Sequence, residues 1–281
     1  MIFCIHHNDN DGRCAAAVVG RYAREEDEPI IYRCIDYKDK LDLALVPKDA
    51  SIFIVDFSLM PADMEALKAH MTPPYDITWI DHHKSAQVFE YGTDMPGIRD
   101  FTEPGKSGAR LTWKYLFPSE PAPEAVALVS DYDTWTHSLE PRDTQFKEGL
   151  IAAGSDPTSP MWRVLLEPDS QDAVSRLCEA GEHILMHQAE FMASMDGSYG
   201  YTVEFHGLRC RVLNVYGVGS AAFGESFEQY DACIAYIRTK DKYSVSMYTA
   251  KPKVDVAAIC VEHGGGGHTK AAGFVCNTLP F

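Results

Sequence analysis

Three short apolar runs in the first half of the chain each stop in acids or histidines, and this pattern limits the fold more than any other feature. "MIFCIHHNDNDG" opens the sequence, "SIFIVDFS" and "DITWIDHHKS" follow, and "IIYRCID" is a fourth β-like run. Between them lie stretches rich in helix formers, "DGRCAAAVVGRYARE" and "MPADMEALKAHM", the second with Pro61 near its start. Strands alternating with helices predict an α/β fold, a parallel sheet with helices on its faces. "GKSGARLTWKYLF" and "PEAVALVSDYDTW" read as further helices.

From about Thr136 to Asp196 the chain reads as helical connection, with "SQDAVSRLCEAGEHILMHQAEFMASM" the longest amphipathic stretch. Then the texture changes. "YTVEFHGLRCRVLNV" and "DACIAYIRTKDKYSVSMYTA" are β-rich, with "HG" and "TKDK" as turns. "VDVAAICVEHGGGGHTKAAGFVC" gives a helix, a glycine loop and a last apolar run. The expected organisation is a domain over 1–140, a helical linker over 141–196 and a smaller domain over 197–281. A length of 281 residues suits two domains.

Composition sets limits on function. Apolar residues make up 46% and charged residues 23%, as in ordinary globular proteins. No apolar run is long enough to span a bilayer and no secretory leader is visible, so the expected location is the cytoplasm, with no membrane partner. The eight cysteines form no C-x-x-C pair and sit mostly in apolar segments, which fits buried free thiols. The formal net charge of −16 argues against long duplex as the main ligand, because gripping it takes a basic track.

The chemistry gathers where strands end. His7, Asp9 and Asp11 alternate after the first run, and alternation along an extended chain puts side chains on one face. His6, pointing the other way, reads as a strand histidine. Asp56 ends the second run, and Asp81, His82 and His83 end the third. In an open α/β sheet, ligands collect beyond the carboxyl ends of the strands. Any single acid there could be a helix N-cap, Asp11 included, but caps do not call for paired histidines. Carboxylates with a minority of imidazoles suit two divalent ions, manganese or magnesium rather than a thiolate zinc site. Asp131 and Asp133 in "SDYDTW" offer the remaining carboxylate. Four consecutive glycines, Gly264 to Gly267, expose amides that can wrap a phosphate, with His268 and Lys270 beside them as charged donors. A flexible loop is the plainer reading of a bare glycine run. Arg110 is a further candidate phosphate contact, and Trp135 or Tyr132 could stack a base or simply pack.

The motifs "HNDNDG", "VDFS", "DHH", "SDYDTW" and "GGGGHTKAAGF", in that order, resemble the DHH phosphoesterase superfamily. The chain looks like its two-domain branch of nanoRNases, 3′-phosphoadenosine 5′-phosphate phosphatases, cyclic-dinucleotide phosphodiesterases and RecJ-type exonucleases. The resemblance implies a parallel-sheet N-terminal DHH domain, a smaller mixed α/β C-terminal domain and a cleft between them. It implies one manganese bound by His7, Asp9 and Asp56, and another by Asp11, Asp56, His82 and Asp131, with Asp56 bridging. Asp131 is preferred to Asp133 because it follows the apolar helix "AVALVS" directly. Asp81 then supports a ligand histidine, His82, and His83 faces the substrate phosphate, both counted with the catalytic residues. Gly265, Gly266, Gly267, His268 and Lys270 bind substrate from the second domain.

The expected activity is a manganese-dependent phosphoesterase using water activated by two metals, with magnesium or cobalt as substitutes. The acidic balance and the short C-terminus after the glycine motif favour short oligonucleotides, dinucleotides or 3′-phosphoadenosine 5′-phosphate as substrates. Rival readings are a single-strand-specific exonuclease and a catalytically silent nucleotide-binding module. Inorganic pyrophosphatase, which shares the DHH motif, is disfavoured by the "GGGGH" ending. A homodimer is an expected assembly.

Overall fold

The structure is a computed structural model that describes residues 1–91, 95–101 and 106–281. The chain divides into two compact units, Met1–Ile184 and Leu185–Phe281. The first contains β1 (Ile2–His7), α1 (Asn10–Glu25), β2 (Ile30–Ile35), β3 (Ser51–Val55), α2 (Pro61–His70) and β4 (Ile77–Ile80). These are followed by α3 (Gly108–Leu116), α4 (Glu124–Asp133), α5 (Arg142–Ala153), α6 (Trp162–Leu165) and α7 (Gln171–Tyr199), the last running across the division. The helix expected from "GKSGARLTWKYLF" is α3; its expected start at Gly105 lies outside the described residues.

All four strands of the first sheet are parallel, in the order β2-β1-β3-β4. Helices cover both faces, so the central strands read as unbroken apolar runs instead of alternating ones. Ile52, Ile54 and Val55 of β3 and Ile80 of β4 are fully buried. Each such side chain stabilises the fold by about 1.5–3 kcal/mol. α1 buries the run Cys14 to Val19 on one side of the sheet, packed with Leu111, Leu128 and Phe146 of α3, α4 and α5. α2 closes the other side with Met64 and Leu67. Residues read from the sequence as connection belong to this core too: Leu150, Trp162, Leu165 and Val174 pack in it.

The second unit holds β5 (Tyr201–Phe205), β6 (Leu208–Asn214), α8 (Ser226–Gln229), β7 (Ala232–Thr239), β8 (Lys242–Tyr248), α9 (Val256–Glu262), β9 (Gly266–His268) and β10 (Ala271–Cys276). Its sheet has the order β5-β6-β7-β8-β10-β9, with β6 and β7 parallel and the other pairs antiparallel. His206 and Gly207, at φ 50° and 72°, make the two-residue hairpin turn between β5 and β6. α9 packs Val256, Ile259 and Cys260 on this sheet. All eight cysteines are free; six are buried, Cys34 is exposed and Cys276 lies between. Among the described residues no helix is long and apolar enough to cross a membrane.

Candidate metal centre

The parallel sheet sets the site, because β1, β3 and β4 all finish at the same edge. Past β1, Asp9 caps α1: its Oδ1 accepts from the Gly12 amide at 2.8 Å while its Oδ2 lies 2.6 Å from His7 Nδ1. A Cβ at Gly12 would meet the His7 carbonyl at 2.5 Å, so only glycine lets α1 begin this close to the strand. Past β3, Asp56 turns at φ 52°, a left-handed conformation uncommon outside glycine, with its amide bonded to the Ile80 carbonyl at 2.9 Å. Past β4 come Asp81, His82 and His83.

These side chains converge. Among the described residues, three groups have ligand atoms all within 4.8 Å of one another: His7, Asp9 and Asp56; Asp56, His82 and His83; and Asp11, His82 and Asp133. Asp56 and His82 are each shared between two of them. His82 Nε2 stands 3.2 Å from Asp56 Oδ1, 3.4 Å from Asp133 Oδ2 and 3.8 Å from Asp11 Oδ2.

Asp81 is fully buried and works outward from beneath the cluster. Its Oδ1 lies 2.7 Å from His83 Nδ1 and accepts from the amides of His82 and His83 at 2.8 and 3.2 Å. Its Oδ2 accepts from Ser58 Oγ, which in turn accepts from Trp79 Nε1. Asp81 thus orients the ring of His83, and His82 only through its backbone, where the sequence reading had it supporting the His82 ring.

Asp131 and Asp133 part company. The Asp131 carboxylate accepts from Ser138 Oγ at 2.7 Å and from the Leu139 amide at 2.8 Å, which ties it to the loop after α4. Asp133 is the residue beside His82 and Asp11. The preference for Asp131 therefore gives way in position to Asp133. The reason is helical geometry: two residues apart on α4 puts them about 200° apart around the axis.

One contributor, the N-terminus of α3, escaped the sequence reading. Asp11 is held by the first amides of α3, Gly108 N at 2.6 Å and Ala109 N at 3.1 Å, a helix N-terminus gripping an anion. A Cβ at Gly108 would collide with the Cβ of Asp56. The one available signal was the Ser107-Gly108 pair before a helical run, since Ser107 is the N-cap. Arg110, the residue singled out there, has an exposed side chain.

The electrostatics are those of a site short of positive charge. Burial, then the charges of Asp11, Asp9, Asp133 and Asp81, push the Asp56 carboxyl well above its usual range. Asp133 is pushed up by burial and by Asp11 and Asp9. Asp9 moves the opposite way: burial raises it, but hydrogen bonds from His7 and the Gly12 amide outweigh this and hold it at about 2. For His83, the Asp81 hydrogen bond and charge overcome burial and raise the imidazole.

Both Asp56 oxygens, His82 Nε2 and Asp133 Oδ2 are buried without a hydrogen-bond partner. Buried polar groups left unpaired cost about 1–3 kcal/mol each. Carboxylate oxygens and an imidazole nitrogen that converge unpaired are what divalent cations bind, so the residues present fit such ions.

In the second unit the glycine segment is regular structure. Gly264, at φ 77°, ends α9, and the Gly265 amide donates to the Cys260 carbonyl at 2.8 Å. Gly266, Gly267 and His268 form β9, paired with Ala271–Gly273 of β10. His268 and Lys270 are exposed, and the Lys270 ammonium donates to the Lys251 carbonyl.

No family model matches the sequence. The uncharacterized protein R106 of Acanthamoeba polyphaga mimivirus is 26% identical over 93% of this chain, which spans 63% of that relative's length. The structure of the pGpG-specific phosphodiesterase PggH from Vibrio cholerae matches with a TM-score of 0.57 at 13% identity, covering 99% of this chain and 94% of that one. The DHH domain of PF0399, a member of the s1p family of ribosomal proteins, also gives 0.57, at 17% identity over 98% of this chain and 82% of that one. Likeness at such identities establishes the fold, and the residues at its strand ends carry the rest. The fold is that of DHH-domain proteins, and the Asp81-His82-His83 triplet stands just past β4 within it.

Proposed function

We propose that the chain is a manganese-dependent phosphoesterase acting on short nucleotides: short oligonucleotides, dinucleotides or 3′-phosphoadenosine 5′-phosphate. The observation that carries this reading is the set of buried, unpaired ligand atoms on Asp56, His82 and Asp133. His7, Asp9 and Asp56 would hold one ion, and Asp11, Asp56, His82 and Asp133 would hold a second. Divalent ions held there would supply Lewis-acid activation of water and would screen the phosphate charge. Oxygen-rich ligation with imidazole suits manganese, and magnesium next.

The chain's own residues do the positioning. Asp81 fixes His83 through Nδ1 and leaves Nε2 for a phosphate oxygen. The Gly108 and Ala109 amides keep Asp11 from swinging away. Gly265, Gly266, Gly267, His268 and Lys270 bind the substrate's phosphate end. The net charge of −16 favours short over long nucleic acid. PggH, of similar fold, is specific for the dinucleotide pGpG, which supports the same substrate class here.

The test is hydrolysis of a panel of dinucleotides, longer single strands, 3′-phosphoadenosine 5′-phosphate and pyrophosphate. Release of mononucleotides with manganese, lost on chelation and in Asp56→Ala, is expected. Turnover that survives chelation or Asp56→Ala overturns the metal assignment. Dinucleotide binding without turnover under any divalent metal overturns the enzyme reading in favour of a binding module.

A further inference from the structure

We propose that a cavity beside the acidic cluster takes the heterocyclic base of one nucleotide, with Trp135 as its stacking platform. This deepens the phosphoesterase reading and rests on it for the kind of ligand. The cavity has a volume of about 360 Å³ and lies wholly within the first unit. Asp9, Asp11 and Asp133 of the cluster line it together with Tyr132, Trp135 and Phe146. Phosphate chemistry and an aromatic wall therefore share one space, and the volume, near the lower end for small-molecule sites, suits a single nucleoside.

Trp135 is not placed as a packing residue. It is 77% exposed, and its backbone is left-handed at φ 53°, where a bulky residue is a true outlier. Such conformations persist where the surroundings over-determine them, most often at ligand sites. The surroundings here are specific. Asp143, fully buried, lies 2.5 Å from His137 Nδ1 and fixes that ring. His137 then sits edge-on to both aromatics, 5.2 Å from the Trp135 ring at 84° and 5.6 Å from the Tyr132 ring at 83°. Tyr132 and Trp135 are themselves near-parallel, 29° apart with centroids at 6.2 Å. That spacing is too close to admit a base between them, so the exposed face of Trp135 is the open one. Arg13 and Lys147 also line the cavity and add cations to a wall of acidic, amide and apolar groups; the Arg13 guanidinium donates to the neutral oxygens of Ser155 and Asn8, and Lys147 pairs with Glu148 at 2.5 Å. A flat π-ring linked to an anion matches this lining, and a nucleotide is that combination.

The chain carries its own probe. Of its four tryptophans, Trp79, Trp113 and Trp162 are 5%, 2% and 1% exposed, so Trp135 alone reports on ligands in solution. Guanosine 5′-monophosphate should quench the tryptophan emission of the magnesium-loaded chain, and ribose 5-phosphate should not. Trp135→Leu should weaken guanosine 5′-monophosphate binding, read by equilibrium dialysis, about tenfold, and Trp135→Phe should retain most of it. Equal quenching by the base-free sugar phosphate, or unchanged affinity in Trp135→Leu, overturns the proposal. The two readings fail separately. Base-dependent quenching in a chain that hydrolyses no phosphoester sinks the enzyme reading alone, whereas turnover without base-dependent quenching sinks this one.

Discussion

In the first unit, Asp56 and His82 past the strand ends and Asp133 at the end of α4 keep buried polar atoms with no hydrogen-bond partner, and Asp56 adopts a left-handed backbone to do so. In the glycine segment of the second unit the peptide groups are matched instead: Gly265 closes α9, and Gly266 to His268 form a paired strand. Both were read from the sequence as ligand sites, yet they are made differently. The first is incomplete without something positively charged. The second is finished structure, with His268 among its exposed groups. Damage to the first should therefore abolish chemistry and metal binding together. Damage to the second should change only how well substrate is held.

The largest effect is expected at Asp56. Asp56→Ala should lower turnover by about two to three orders of magnitude. It should also remove the rise in Tm that manganese gives the parent chain, because an ion bound only to the folded state stabilises it by mass action. Calorimetry with and without manganese checks this.

Next comes the contrast within one helix turn. Asp133→Asn should cost on the order of a hundredfold in manganese affinity. Asp131→Ala should leave affinity and turnover near the parent values and instead lose about 1–3 kcal/mol of stability, since Ser138 and Leu139 lose their acceptor. Isothermal titration and urea unfolding on the pair separate the roles, and the reverse pattern would return the ligand role to Asp131.

Gly108→Ala should cost about tenfold in manganese affinity through displacement of Asp56, with helix content unchanged by circular dichroism. His268→Ala should be mildest, a rise of about fivefold in KM for a dinucleotide at unaltered kcat and manganese affinity, as expected for one hydrogen bond. Loss of manganese binding in His268→Ala would erase the distinction between the two regions.

How far the sequence revealed this depends on the range of the interactions involved. β1, β3 and β4 and their terminal residues were legible because each pairs an apolar run with an immediate polar stop, a local pattern. The same holds for the hairpins at His206-Gly207 and Lys240-Asp241. The choice between Asp131 and Asp133 was not legible, because both follow the same apolar helix and only its rotation against the sheet separates them. Gly108 was missed because its role is a close approach to Asp56 from far along the chain. Trp135 was visible only as an aromatic; its left-handed backbone and the Asp143–His137 prop behind it depend on the packing of α5. The glycine run looked like a flexible loop or a phosphate wrap, and strand pairing with β10 was invisible without the partner's register.

Asp9 has one oxygen on the first turn of α1 and the other on His7 at the edge of the cluster. A cation drawing on that carboxylate therefore competes with, or reinforces, the cap of the helix that forms one wall of the core. Occupancy and helix fraying become two readings of one equilibrium. Deuterium uptake at the Gly12 and Arg13 amides should then track manganese concentration, giving a titration curve that needs neither substrate nor turnover.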